Sequence, residues 1–218
     1  MSEPVQAVLF DFDGTVADTA PDLAYALNVM REQRGLEALP LDQLRGLASE
    51  GARGMLRRGF DLHPHHEGYG RMREEYLNIY EANMLRETKL FSGMAELLDA
   101  LDGRGIAWGI VTNKMERLAV PLIGMMGLAQ RAGCIIGGDT TGKLKPAPDP
   151  LYEAARRVGT DPRCCLYVGD DLRDVQAALA AGMEPVVALY GYLGNDEPPE
   201  QWGASKYLKD PVDLLIYL

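Results

Sequence analysis

Apolar residues fall along this chain in short continuous runs separated by stretches with helical spacing. Ala7–Val8–Leu9–Phe10 is the first such run, and consecutive strand-favouring residues of this kind predict a central parallel strand covered on both faces. Comparable runs recur at 106–111, 134–136, 164–168 and 185–190. Between them lie segments with the helical period: 93–105, where Met94, Leu97, Leu98 and Leu101 share a face, then 115–126, 150–158 and 172–181. Strand followed by helix at this pitch predicts a parallel sheet with helices on both faces.

The stretch from 18 to 89 breaks that rhythm. Asp18–Thr19–Ala20–Pro21 reads as a helix start, with Thr19 or Asp18 as cap and proline in the first turn, and the helix runs to Gly35. Further helices are expected at 42–48, 52–58 and 68–85, the last with Met72, Tyr76, Ile79 and Tyr80 on one stripe. A helical block of roughly seventy residues is too long for a simple strand-to-helix connection, so it reads as an inserted domain. The expected organisation is an α/β core from 1–17 and 90–218, a three-layer Rossmann-like parallel sheet, with an all-helical insertion at 18–89. Toward the end, 191–203 is rich in Gly, Pro and acids and reads as an exposed loop, before a closing strand near Tyr207 and a helix from Pro211.

Bulk composition narrows the partners. The 218 residues are 47% hydrophobic and 25% charged, ordinary globular values, and no internal repeat is visible. A formal net charge of −10 opposes nonspecific binding to nucleic acid or an anionic membrane and leaves a small metabolite as the expected partner. Cys134, Cys164 and Cys165 show neither a disulfide framework nor zinc-ligand spacing and read as buried, reduced thiols. With no leader pattern and no run of eighteen apolar residues, the expected setting is cytoplasmic.

The chemistry sits where the strands end. Asp11–Phe12–Asp13–Gly14–Thr15 puts two carboxylates just past the first strand, the end at which open α/β sheets bind ligands. Two carboxylates so close need either a divalent cation or a shared proton between them. The next strand ends in Thr112 and Asn113, a hydroxyl and an amide suited to holding phosphate oxygens. Lys145 leads into a segment stiffened by three prolines, which can present its ammonium from a rigid turn. A later strand ends Gly169–Asp170–Asp171, with Asp174 one turn on. A helix cap explains one of these acids, not three. Oxygen-only donors in an acidic cluster suit Mg²⁺ better than zinc or iron. His63, His65 and His66 have no companion ligands and read as a solvated loop.

In order and placement, Asp11 to Thr15, Thr112, Lys145 and Asp170 with Asp171 and Asp174 resemble the four motifs of the haloacid dehalogenase-like hydrolase superfamily. The helical block resembles the cap of its phosphoglycolate phosphatase-like group, and Asp13 resembles the second acid of the phosphatase branch. The resemblance implies that Asp11 is a nucleophile forming an aspartyl-phosphate and that Asp13 is the general acid and base. It also implies Mg²⁺ held by Asp11, the Asp13 carbonyl and Asp170, with Asp171 and Asp174 in support. Thr112, the Asn113 N–H and Lys145 then gather the phosphoryl oxygens, and Arg53 in the cap is the candidate contact for a substrate carboxylate. Patches at Gly51–Ala52–Arg53, Asp149–Pro150–Leu151, Tyr190–Gly191–Tyr192 and Trp202–Gly203–Ala204 are similar to bacterial N-acetylmuramic acid 6-phosphate phosphatases. The implied substrate is therefore that sugar phosphate or 2-phosphoglycolate. A phosphosugar mutase of the same superfamily is the enzymatic alternative. A phosphorylatable receiver-like domain is the non-enzymatic one, and it leaves no room for the helical block.

Overall fold

The computed structural model of the chain describes residues 4–194 and 197–218. Six parallel strands form one sheet: β1 (Ala7–Phe10), β4 (Ala107–Val111), β5 (Cys134–Ile136), β6 (Cys165–Gly169), β7 (Glu184–Ala188) and β8 (Lys206–Leu208), in the order β5-β4-β1-β6-β7-β8. All four β1 side chains are fully buried, as the continuous apolar run requires. The pleat divides them. Val8 and Phe10 join the core cluster that holds Leu97, Leu101, Leu118 and Leu122 from α4 (Met94–Arg104) and α5 (Glu116–Met125). Ala7 and Leu9 join Leu151, Ala154, Ala177 and Ala178 from α6 (Asp149–Val158) and α7 (Leu172–Ala181) on the other face. Register sets the functional edge, because Phe10 pairs with Ile110 on one side and Val168 on the other. Asp11, Thr112 and Asp170 therefore emerge together at the carboxyl end.

The helical block comprises α1 (Ala20–Glu32), 3₁₀ turns at Leu41–Gln43 and Arg45–Glu50, α2 (Gly51–Phe60) and α3 (Tyr69–Glu81). At its neck the chain pairs β2 (Ala17–Asp18) antiparallel to β3 (Lys89–Leu90). The buried Asp22 carboxylate ties down the returning strand by accepting the Arg86, Glu87 and Thr88 N–H groups and the Thr88 hydroxyl.

Several local expectations change. Residues 42–48 form 3₁₀ turns rather than an α-helix, and so does the segment Pro211–Tyr217. Both are short, and short helical pieces commonly take the tighter i to i+3 form; the second is also held at its start by the Asp210–Asp213 capping box. The helix expected at 68–85 stops at Glu81. Thr19 does occupy the N-cap position of α1, but its side chain makes no cap bond and is spent on Asp13 instead. The loop expected to be exposed at 191–203 buries Tyr192 and Trp202. Asn195 and Asp196 in it, like residues 1–3 of the first segment, lie outside the described residues. Among the described residues no helix is long and apolar enough to cross a membrane.

Candidate active site

Asp11 is the first residue past β1, and its backbone N–H donates to the Val168 carbonyl at 2.8 Å, continuing the sheet by one bond into the site. Its side chain is 13% exposed, so one edge of the carboxylate remains reachable while the rest is enclosed. Asp170 follows β6 directly and is fully buried. Thr15 donates its hydroxyl to Asp170 at 2.9 Å, and the Tyr192 N–H donates to the other oxygen at 2.8 Å. Oxygens of Asp11, Asp170 and Asp174 lie within 4.8 Å of one another. Gly14 makes the packing possible: its φ is +87°, and a Cβ there would collide with the Asp170 carboxylate and the Tyr192 ring.

A single ammonium faces this cluster. Lys145 Nζ lies 2.8 Å from Asp11 and 2.7 Å from Asp174, and also donates toward the Val111 carbonyl and the Tyr167 hydroxyl at 2.9 and 2.8 Å. Its backbone is clamped by the Asn113 amide, which donates to the Lys145 carbonyl at 3.0 Å and accepts its N–H at 2.9 Å. Burial alone would lower the Lys145 pKa, but the Asp11 and Asp174 carboxylates more than offset that and raise it. One cation does not balance three acids. Burial pushes the Asp11 carboxyl up to about 7 against the pull of Lys145, with Asp174 and Asp13 adding to the rise. Asp170 is driven well above the usual carboxylate range, by burial first and then by Asp11 and Asp174.

The donor set fits a divalent cation. Opposite ligands of an octahedral Mg²⁺ stand about 4 Å apart, twice the usual ~2.1 Å bond, and the spacing of these oxygens is compatible with that. Asp174 has both oxygens engaged, one by Lys145 and one by the Asp171 N–H at 3.1 Å, which suits a supporting position. Asp171 turns elsewhere. It caps α7 by accepting the Arg173 N–H and pairs with the Arg173 guanidinium at 2.8 Å, which holds its carboxyl below the ordinary range despite burial.

Asp13 stands apart from the three-acid cluster. Its carboxylate accepts the Thr19 hydroxyl at 2.5 Å and pairs with Lys114 at 3.0 Å. Lys114 is a partner that the motif reading passed over; it also reaches the Tyr80 hydroxyl at 3.1 Å and lies 4.6 Å from that ring's centroid. Thr112 is 3% exposed and accepts the Lys114 N–H at 3.1 Å, leaving its own proton for an incoming oxygen. A cavity of about 460 Å³ opens over these groups, walled by Thr112, Asn113 and Lys145 from the core and by Arg53, Tyr69 and Arg73 from the helical block. Arg173 closes its rim by donating to the Ser49 carbonyl at 2.8 Å. Sequence reasoning gave no role to Lys114, Arg173 or Arg73, and Tyr192 entered only within a resemblance patch, because the contacts that bring them to the site, with Asp13, Ser49, Met115 and Thr19 respectively, lie far along the chain.

Residues 8–188 match the haloacid dehalogenase-like hydrolase family. The chain belongs to that family. It is 40% identical over 210 residues to N-acetylmuramic acid 6-phosphate phosphatase of Pseudomonas putida, covering 96% of this chain and 94% of that one. It is 44% identical over 209 residues to phosphoglycolate phosphatase of Xanthomonas campestris, with the same coverage of 96% and 94%. Among solved structures, a predicted phosphoglycolate phosphatase from Haemophilus somnus superposes with a TM-score of 0.86 at 25% identity, covering 98% of this chain and 97% of that one. This haloacid dehalogenase-like hydrolase is an enzyme, and on the strength of these relatives a phosphatase.

Proposed function

We propose that the chain is a Mg²⁺-dependent phosphomonoesterase that works through an aspartyl-phosphate on Asp11. Its substrate is a small metabolite bearing a carboxylate, N-acetylmuramic acid 6-phosphate or 2-phosphoglycolate. The observation that carries this reading is the Asp11 carboxylate, held by Lys145, sharing one point with Asp170 and Asp174 and opening onto a cavity of about 460 Å³. Asp11, the Asp13 carbonyl and Asp170 would hold Mg²⁺, with Asp174 in support. Bound there, the ion supplies positive charge that offsets the repulsion between carboxylate and phosphate dianion.

Asp11, in its ionised form, attacks phosphorus in line as the ester oxygen leaves. Asp13 protonates that oxygen, then takes a proton from the water that hydrolyses the acyl phosphate. Lys114 and the Thr19 hydroxyl keep Asp13 aimed for both transfers. The Thr112 hydroxyl, the Asn113 N–H and Lys145 gather the phosphoryl oxygens, and Asn113 doubles as the clamp that positions Lys145. Residues 18–89 serve as the cap that shields the acyl phosphate from bulk water, and Arg53 meets the substrate. Three buried cysteines, none of them in a disulfide among the described residues, fit a reducing, cytoplasmic setting.

The test is phosphate release from both candidate substrates with and without MgCl₂, in the native chain and in Asp11→Asn. The expected outcome is Mg²⁺-dependent release in the native chain and a loss of at least 10³-fold in the variant, the scale on which removing a nucleophile acts. Undiminished release by Asp11→Asn would end the reading.

A further inference from the structure

The basic side chains that line the cavity are matched to acids with one exception. Lys145 pairs with Asp11 and Asp174, Lys114 with Asp13, and Arg173 with Asp171. Arg53 lies 3.7 Å from Glu50. Arg73 has no carboxylate partner among the described residues. Its one bond runs from Nη2 to the Met115 sulfur at 3.4 Å, and a thioether is a weak acceptor for a guanidinium with five donors. The residue is half-buried, so bulk water does not fully solvate it either.

Its position on α3 is also unusual. Tyr69, Arg73, Tyr76 and Tyr80 recur at helical spacing and all line the cavity, so a guanidinium occupies one step of an otherwise aromatic stripe. Met115, which it touches, comes directly after the segment Thr112 to Lys114. The phosphoryl end of a substrate is already served from the core by Thr112, Asn113 and Lys145. A second cation, on the facing wall and unspent on any acid, is placed to meet a different anion.

From this we infer that Arg73 is a specificity-determining residue that binds a second anionic group of the substrate, apart from the scissile phosphate. The inference rests on the phosphomonoesterase reading above and deepens it by naming the residue that holds the second anion, the carboxylate proposed there or another phosphate. A planar guanidinium engages either group through paired N–H donors, which a neutral tail cannot accept. Discrimination follows because a neutral-ended ester would leave Arg73 desolvated and unpaired.

The experiment compares kcat/KM for matched pairs of esters. One pair is 2-phosphoglycolate against ethyl phosphate, which isolates the carboxylate. The other is fructose 1,6-bisphosphate against fructose 6-phosphate, which isolates a second phosphate. In Arg73→Met the ratio for at least one pair falls fivefold or more, chiefly through KM, and the pair that responds identifies the anion. Arg73→Lys, which keeps the charge without the fork, retains an intermediate ratio and serves if the methionine variant fails to fold. Ratios that move less than fivefold for both pairs in both variants overturn the inference, as does an equal loss on charged and neutral esters. A native chain that releases phosphate from none of these esters overturns this inference, and the phosphomonoesterase reading falls with it only if N-acetylmuramic acid 6-phosphate is spared too; an active chain with unmoved ratios ends this inference alone.

Discussion

Tyr190 and Tyr192 stand two residues apart after β7, and their buried hydroxyls have opposite surroundings. The Tyr192 hydroxyl accepts the Thr19 and Ala20 N–H groups at 2.7 and 2.9 Å and donates to Asp18 at 3.1 Å, so it satisfies the start of α1 from across the fold. The Tyr190 hydroxyl has no hydrogen-bond partner among the described residues. Removing each should therefore shift stability in different directions. Tyr192→Phe leaves two buried donors unpaired and is expected to cost about 2 kcal/mol, a fall of roughly 4–8 °C in Tm for a chain of this size. Tyr190→Phe removes a desolvated hydroxyl and is expected to hold Tm or raise it by roughly 2–4 °C. Thermal melts of the two variants decide this, and equal losses would refute it. The pair also shows why single residues differ in legibility. Asp11 and Asp13 were readable because they follow an apolar run directly. Nothing local in Tyr190–Gly191–Tyr192 distinguishes the hydroxyl that holds Thr19, and through Thr19 reaches Asp13, from the one that holds nothing.

Elements that bury a run of apolar side chains were legible, and those held only by contacts distant along the chain were not. β1, β4, β6 and β7 with α4 to α7 show in the apolar pattern because each buries several apolar residues. β2 and β3 have two residues each, too few for any period, and they form only because the helical block must leave and re-enter the core at one neck. The turns at Leu41–Gln43 and Arg45–Glu50 likewise answer to tertiary contacts. Strand burial carries its own consequence for the thiols of β5 and β6. Burial pushes Cys134 from the ordinary 9.0 up to about 11 and Cys165 up to about 12. Both are protonated at pH 8, with on the order of one part in a thousand or less as thiolate. Because the folded state keeps the proton that the unfolded chain loses, stability falls as pH rises from 9 toward 11. At pH 8 a thiol reagent should label the native chain only as fast as it opens. A labelling rate proportional to reagent concentration, up to high reagent, would contradict this.

Across the whole molecule, the helical block is drawn onto the core by the same side chains that border the cavity. Arg173 reaches Ser49, Lys114 reaches Tyr80, and Arg73 reaches Met115, while Arg117 pairs with Glu74 and Glu81 farther out. Closure encloses the acids, and enclosure makes their charge costly. Asp11 carries the cost as a pKa raised from 3.8 to about 7. The sign follows directly: between 3.8 and about 7 the folded chain holds a proton that the unfolded chain has released, so stability without metal falls as pH rises through that window. A cation that needs the ionised carboxylate must displace that proton. Mg²⁺ should then bind more weakly at pH 6 than at pH 8 and release protons as it binds; Asp11 alone accounts for about tenfold, ~1.4 kcal/mol, and Asp170, whose carboxyl is raised in the same direction, adds to both effects. Chelated protein titrated with MgCl₂ by calorimetry in buffers of different ionisation enthalpy measures both quantities. The gain in Tm at a fixed Mg²⁺ concentration should accordingly be larger at pH 8. Asp11→Asn removes one of the two titrating carboxyls, and the pH dependence of whatever Mg²⁺ affinity remains should weaken, with Asp170 left to supply the rest. An affinity independent of pH in the native chain would mean that the ion does not bind through Asp11.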